Sequence, residues 1–302
     1  MRGKTILVSF GFTLALSLSL LVYAQETSAF DWQAVDEAMG LAGEVQDGGV
    51  YKFSLPRSDL QVTSGGVEIK PGFALGSWVA FKPAGEGMQV MVMGDLVLTE
   101  DEYNSVIASL QESGIGQTAV YKHLPDESPA IWWTHIEAEG NPVELAQTIR
   151  TALEQTGTPL EVSSGGGEQE LGFDIAQLDE IMGRQGNASG GIYKFSVPHA
   201  GAITARGTEI PASMGTAIAL NFQPTGEGQA AINGDFVMTA DEVNPVIQAL
   251  REHDIQVVSL HNHMLTEEPR LFFMHFWAVG DAAELAEGLR AALDQVDTAQ
   301  SE

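Results

Sequence analysis

The chain has 302 residues, 44% of them hydrophobic, no cysteine and a formal net charge of −27. Acidity spread along the whole length argues against nucleic acid and anionic lipid as partners, while it attracts cations diffusely and keeps a protein soluble in salt. Without cysteine there is no disulfide framework, no thiolate metal site and no lipidated N-terminal cysteine, so stability has to come from packed cores.

Arg2 and Lys4 precede an apolar stretch from Ile6 to Leu21 that ends at Val22-Tyr23-Ala24, a small-x-small site before Gln25. Residues 1–24 therefore read as a secretory signal peptide; the stretch is short for a retained spanning anchor, which is the alternative. The mature chain is expected to be periplasmic or secreted, with no stable membrane insertion once the leader is cleaved.

The remainder is one unit written twice. Phe30-Asp31 through Met39-Gly40 recurs as Phe173-Asp174 through Met182-Gly183, Tyr51-Lys52-Phe53 as Tyr193-Lys194-Phe195, Phe81-Lys82-Pro83 as Phe222-Gln223-Pro224, and Gly94-Asp95 as Gly234-Asp235. From Gly94 onward the spacing stays constant, so that half of each unit admits no change of length and its geometry is the stricter part. The expected division is a first repeat over 25–157, a Gly/Ser-rich linker over 158–170 and a second repeat over 171–302.

Each repeat opens with a short helix: Asp31 and Asp174 fit N-caps, Phe30 and Phe173 fit staples against Val35 and Leu178, and Gly40 and Gly183 fit left-handed stops. Alternating stretches follow at Val50 to Leu55, Val67 to Ile69, Ser77 to Phe81 and Gln89 to Leu98, and read as a meander. Thr99 with Glu102, and Thr239 with Glu242, form capping boxes before a second helix, which gives those glutamates a structural use. Two more strands, Gln117 to Leu124 and Ala130 to Ala138 (Gln256 to Leu265 and Leu271 to Val279 in the second copy), lead to a last amphipathic helix. The expected fold is α+β: two homologous tandem domains, each a mostly antiparallel sheet with about three helices, able to pack as a dimer within one chain.

The second repeat carries His261-Asn262-His263 and then His275. Residues i and i+2 on a strand face one way, about 6.6 Å apart, so His261 and His263 can aim at one point. His275 joins their face if the connecting loop is odd in length, for example with His275 opposite His261, and lies on the other face if it is even. Three imidazoles with an open position suit zinc, copper, iron or nickel and activate a bound water; the alternative is a polar groove lined by hydrogen-bonded histidines. The first repeat has Tyr121, His123 and His135 at the matching places. With a phenol for one imidazole it reads as a degenerate equivalent, leaving one intact site. Asp95 and Asp235, each after a glycine inside an apolar strand, could ligate, orient a histidine or act as a base; otherwise they mark a glycine bulge with the carboxylate on local backbone. Trp132, Trp133, Phe272, Phe273, Trp277 and the methionines read as core.

Gly94-Asp95-Leu96-Val97-Leu98-Thr99-Glu100-Asp101-Glu102, Leu260-His261-Asn262-His263-Met264 and Phe272-Phe273-Met274-His275 together resemble the LppY/LpqO family, a bacterial exported domain of unknown function, over both copies. The resemblance implies an exported bacterial protein and adds no chemistry. Tyr121-Lys122-His123 departs from the family's His-Asn-His, and Pro198-His199 departs from Pro56-Arg57, whose arginine reads as an anion contact or a surface ion pair. Three functions follow: binding of zinc, another transition metal or a small ligand by His261, His263 and His275; metal-dependent hydrolysis with Asp235 as base; or a metal-free envelope interaction module using the sheet faces. Nucleophile elbows, phosphate loops and dinucleotide fingerprints are missing.

Overall fold

A computed structural model describes residues 30–85, 87–160 and 170–299. The leader and residues 161–169 of the linker lie outside the described residues. The first repeat runs α1 (Trp32–Met39), β1 (Glu44–Gln46), β2 (Val50–Pro56), β3 (Val62–Ser64), β4 (Val67–Ile69), α2 (Pro71–Ala74), β5 (Gly76–Pro83), β6 (Val90–Thr99), α3 (Glu100–Glu112), β7 (Gly116–Tyr121), β8 (Ile131–Gly140) and α4 (Pro142–Leu153). The second runs α5 (Ile175–Met182), β9 (Asn187–Ser189), β10 (Ile192–Pro198), β11 (Thr204–Ala205), β12 (Thr208–Glu209), β13 (Ala217–Gly226), β14 (Gln229–Met238), α6 (Ala240–Glu252), β15 (Gln256–His261), β16 (Glu267–Glu268), β17 (Phe272–Asp281) and α7 (Ala282–Leu293).

Local chemistry sets the ends of the helices. Asp31 and Asp174 accept from first-turn amides, and Gly40 and Gly183 stop their helices at φ of 72° and 68°. Both capping boxes form, with Glu102 and Glu242 reaching back to the amides of Thr99 and Thr239.

Each repeat builds a six-stranded antiparallel sheet, in the orders β1-β2-β5-β6-β8-β7 and β9-β10-β13-β14-β17-β15. Val67 to Ile69, expected in the meander, leaves the sheet. It pairs with β3 across Gly65-Gly66, both at positive φ, because a two-residue turn of that hand closes a hairpin on itself. The equivalent hairpin, β11 with β12, turns at Arg206-Gly207 and takes β16 as a third strand, while Thr63 bridges Ser128 in the first repeat. Each hairpin thus pins the long loop between the last two strands, from which histidines are presented.

Alternation divides the faces of the sheets. Phe236, Met274 and Phe276 join one core with Leu250, Leu289 and Leu293 of α6 and α7. The residues between them point the other way, toward the opposite repeat: Val97, Tyr121 and Trp133 share a cluster with Ile192, Ala231 and Trp277. The two repeats therefore pack sheet to sheet as a pseudo-dimer, joined by Thr118 Oγ1 donating to the His263 carbonyl (2.6 Å), Asn262 Nδ2 to the Thr118 carbonyl (2.9 Å), Ser259 Oγ to the Lys122 carbonyl (2.8 Å) and Asn233 Nδ2 to the His123 carbonyl (2.6 Å). With helices on one side and the partner sheet on the other, the inner faces are not free to serve as an interaction module.

Arg57 corrects both readings of it. Its side chain is fully buried and forks onto Asp59 and Glu102, with Nη1 also donating to the Val97 carbonyl. Glu102 in turn accepts from the amide of Gly157, so the ion pair ties the capping box to the chain leaving α4. In the second repeat His199 faces Glu242 at 3.3 Å, and Asp297 supplies the amide. Because removing one member strands the other charges in a largely dry site, Arg57→Ala is expected to lower unfolding free energy by about 3 kcal/mol in urea titrations. Arg57→Lys should recover only part of this, since an ammonium cannot reproduce the fork; a loss below about 1 kcal/mol for the alanine variant would contradict a structural role.

Candidate metal centre

One row of residues crosses each inner face. In the first repeat Ser54, Trp78, Asp95, His135 and Ala119 stand opposite one another on successive strands; in the second the row is Ser196, Ala219, Asp235, His275 and Ser259. The ladders are regular at both aspartates, so the glycine before each does not mark a bulge. A Cβ on Gly234 would stand 1.8 Å from the Ala219 carbonyl oxygen, and one on Gly94 2.8 Å from that of Trp78. Glycine there lets neighbouring backbone approach and leaves the aspartate next to the histidine strand.

His275 pairs with Ser259, and His261 with Phe273, rather than His275 with His261. The loop between the last paired residues, 262–272, is odd in length, so His261 and His275 still share a face, diagonally, with rings 4.9 Å apart. His263 lies just past the end of β15, where its ring stacks on Phe273 at 3.5 Å. Asp235 completes the group: its Oδ2 is 3.0 Å from His263 Nε2 and its Oδ1 4.0 Å from His275 Nε2. Asp235, His261 and His263 each bring a ligand atom within 4.8 Å of the others.

The first repeat's residues meet the second's at the same seam, where Asp95 Oδ2 lies 3.5 Å from His123 Nε2 as the mate of the Asp235–His263 pair. Tyr121 stacks on His261 (3.7 Å), His123 packs on His275 (3.9 Å) and His135 stacks on His263 (3.8 Å). His123 matches His263 in the repeat, and His135 matches His275, so the last two contacts are mates across a local two-fold that passes between Tyr121 and His261. All eight side chains, Asp95, Tyr121, His123, His135, Asp235, His261, His263 and His275, meet at one seam. Seven of them line or adjoin a cavity of about 510 Å³, and His261 lies behind the Tyr121 ring. Sequence reasoning left out Lys52 and Lys194, which line the same cavity; the signal was their conserved place in the repeated Tyr-Lys-Phe segment.

Burial sets the electrostatics. Desolvation lowers the imidazoles of His123, His263 and His275 to about 3, and those of His135 and His261 well below their ordinary value. The same desolvation raises the carboxyls of Asp95 and Asp235 to about 6, opposed by the neighbouring histidines. At neutral pH the imidazoles are uncharged and free to donate lone pairs. Carbonyls orient three of them: His123 donates to Ala74, His263 Nδ1 to Gly215 (3.0 Å) and His275 Nδ1 to Gly234 (2.6 Å), the last two turning each Nε2 inward. Seven imidazole nitrogens, those two Nε2 atoms with His123 Nε2 and both nitrogens of His135 and His261, are buried without an aligned hydrogen bond. Proteins ordinarily leave very few such atoms, and a concentration of them marks a ligand-binding surface.

Fold and site together define a tandem α+β protein with a histidine and aspartate cluster at the seam of its repeats. The chain belongs to the family described as Domain of Unknown Function (DUF1259), whose model matches residues 33–155 and again 176–295. No curated protein matches the sequence. Among solved structures, the trimeric bacterial microcompartment shell protein PduB aligns at 14% identity over 84% of this chain and 89% of its own, with a TM-score of 0.20. EtuB from Clostridium kluyveri aligns at 10% identity over 83% and 88%, with a TM-score of 0.21. Scores this low do not establish a shared fold.

The buried groups fix a pH dependence for the metal-free protein. Unfolded imidazoles titrate near 6.5, so unfolding takes up protons from about pH 6.5 down to about 3, and stability falls as pH drops through that window. The aspartates act oppositely: a folded value near 6 above an unfolded 3.8 means stability falls as pH rises from 3.8 through 6. Five histidines outweigh two aspartates. Chelator-treated protein should therefore lose thermal stability steadily from pH 6.5 to 4.5, with a shallower slope in His263→Ala; a flat or rising profile on acidification would contradict the buried neutral cluster.

Proposed function

We propose that this is an exported metal-binding protein of the LppY/LpqO family whose two repeats enclose one transition-metal ion, zinc in the first instance, held by Asp235, His261, His263 and His275. The observation that carries this reading is the convergence of Asp235, His261 and His263 within 4.8 Å, with His275 beside them on the same face. A set of three neutral imidazoles and one carboxylate suits a tetrahedral ion with Zn–N of about 2.0–2.1 Å. The carbonyls behind His263 and His275 supply the outer-shell contacts that such ligands ordinarily have. The leader-like residues 1–24 support the export part of this reading, and the surface acidity favours approach of a cation.

Metal supplies a positive charge among the neutral imidazoles, and binding displaces the proton that burial keeps on Asp235 near pH 6. Tyr121 stands where the repeat would place a sixth imidazole and stacks on His261, so the ion is assigned to the second repeat's side, flanked by His123 and His135. This favours binding over hydrolysis with Asp235 as base, because Asp235 sits among the ligand atoms, 3.0 Å from His263 Nε2.

Protein purified without a histidine tag should carry one metal ion per chain by elemental analysis. His263→Ala should abolish stoichiometric binding, and His123→Ala should weaken it by a smaller factor. Zinc should raise the melting temperature of the wild type and not of His263→Ala. An absence of stoichiometric metal after zinc addition, or a content unchanged by His263→Ala, would overturn the reading.

A further inference from the structure

The local two-fold that relates the two histidine sets also relates Lys52 to Lys194, and the two lysines are treated differently. Lys52 Nζ donates to the Ser213 carbonyl (2.9 Å) and lies 4.3 Å over the ring of Trp78. Trp78 fills that side of the cavity: it packs against Gly215, where a Cβ would come within 2.9 Å of the ring, and its edge meets His135 at 5.9 Å. At the matching place the second repeat has Ala219, opposite Asp235 as Trp78 is opposite Asp95. Ala219 puts a methyl where the first repeat has the indole, and the Lys194 amine has no hydrogen bond, ion pair or ring partner among the described residues.

Only six lysines occur in a chain with 41 acidic residues, and two of the six line this one cavity. Lys194 is half-buried, and its ammonium faces the cavity without a protein partner, which leaves its donors available to an anion bound there. The nearby lining is mostly small or polar, with Gly72, Ser189, Ala219, Asn221 and Asn233 beside Phe73. A volume of about 510 Å³ is the size of a small-molecule site. With two carboxylates, two ammoniums and neutral imidazoles, a bound divalent cation leaves the cavity with excess positive charge.

We propose that the Ala219 side of this cavity binds a small oxyanion-bearing molecule, one oxyanion group pairing with Lys194 and reaching toward the Asp235 and His275 wall. The proposal deepens the metal reading, since a cation on Asp235, His261, His263 and His275 would supply the second contact to the anion. On the Trp78 side of the same cavity the indole and the Lys52 contacts occupy the matching place, so the oxyanion group is assigned to the Ala219 side alone.

The test is calorimetric titration of malonate, and separately of inorganic phosphate, into zinc-saturated and into metal-free protein, with zinc content measured on the same samples. Binding of at least one probe is expected, tighter in the zinc-saturated form, weakened tenfold or more by Lys194→Gln and unchanged by Lys82→Gln, whose amine lies outside the cavity on the Gly48 carbonyl. Malonate without phosphate would identify a carboxylate ligand, and the reverse a phosphate ligand. Ala219→Trp, which copies the Trp78 side, should block the probe while zinc content is kept. Failure of zinc to bind would count against the metal assignment alone, because the Lys194 effect is then read in the metal-free protein. No binding of either probe in either form, or binding unaffected by both Lys194→Gln and Ala219→Trp, would overturn the proposal.

Discussion

Five imidazoles and two carboxylates are buried where two sheets press together, and much of the remaining structure serves to hold them there. Burying so many titratable groups is unfavourable unless they stay neutral or find a counter-charge. The fold arranges the first condition by burying the rings between the two sheets. On the reading proposed above, the second is supplied by a bound cation at the seam.

Duplication explains how the site came to have its form. A single repeat offers a strand row with one aspartate and one histidine, plus two more side chains on an adjoining strand and loop. Packing inner face to inner face brings two such sets into ring contact across a local two-fold. Small substitutions then break the symmetry: Tyr121 against His261, Trp78 against Ala219, and the Arg57 fork against His199. On the proposed reading one side keeps the ligand set Asp235, His261, His263 and His275, while on the other Trp78 narrows the shared cavity and the Arg57 fork braces the capping box.

Much of the fold was legible from local signals. Caps at Asp31 and Asp174, capping boxes at Thr99 and Thr239, and alternation along the long strands are short-range chemistry, and they place the helices and central strands correctly. The β3–β4 hairpin escaped because three-residue strands carry little periodicity, and the paired glycines at its tip were the signal to use. Strand parity at His261 and His275 was stated as a condition, and register was met one pair away from the example considered, because the connecting loop is pinned by the hairpin rather than closed as a tight turn.

The site was legible residue by residue but not as an assembly. His261, His263, His275 and Asp235 stand out by spacing, as do Tyr121, His123 and His135, yet nothing local says that the two sets face each other. That depends on sheet packing between residues about 140 positions apart. Lys52 and Lys194 were hidden for the same reason: a lysine in a strand looks like a solvent-facing residue until the opposite sheet covers it. The most direct measurement is an anomalous difference map from a zinc-soaked crystal. The account expects a single strong peak at the seam, about 2.1 Å from nitrogens of His261, His263 and His275. Zinc confined to surface carboxylates, with the buried rings unengaged, would contradict it.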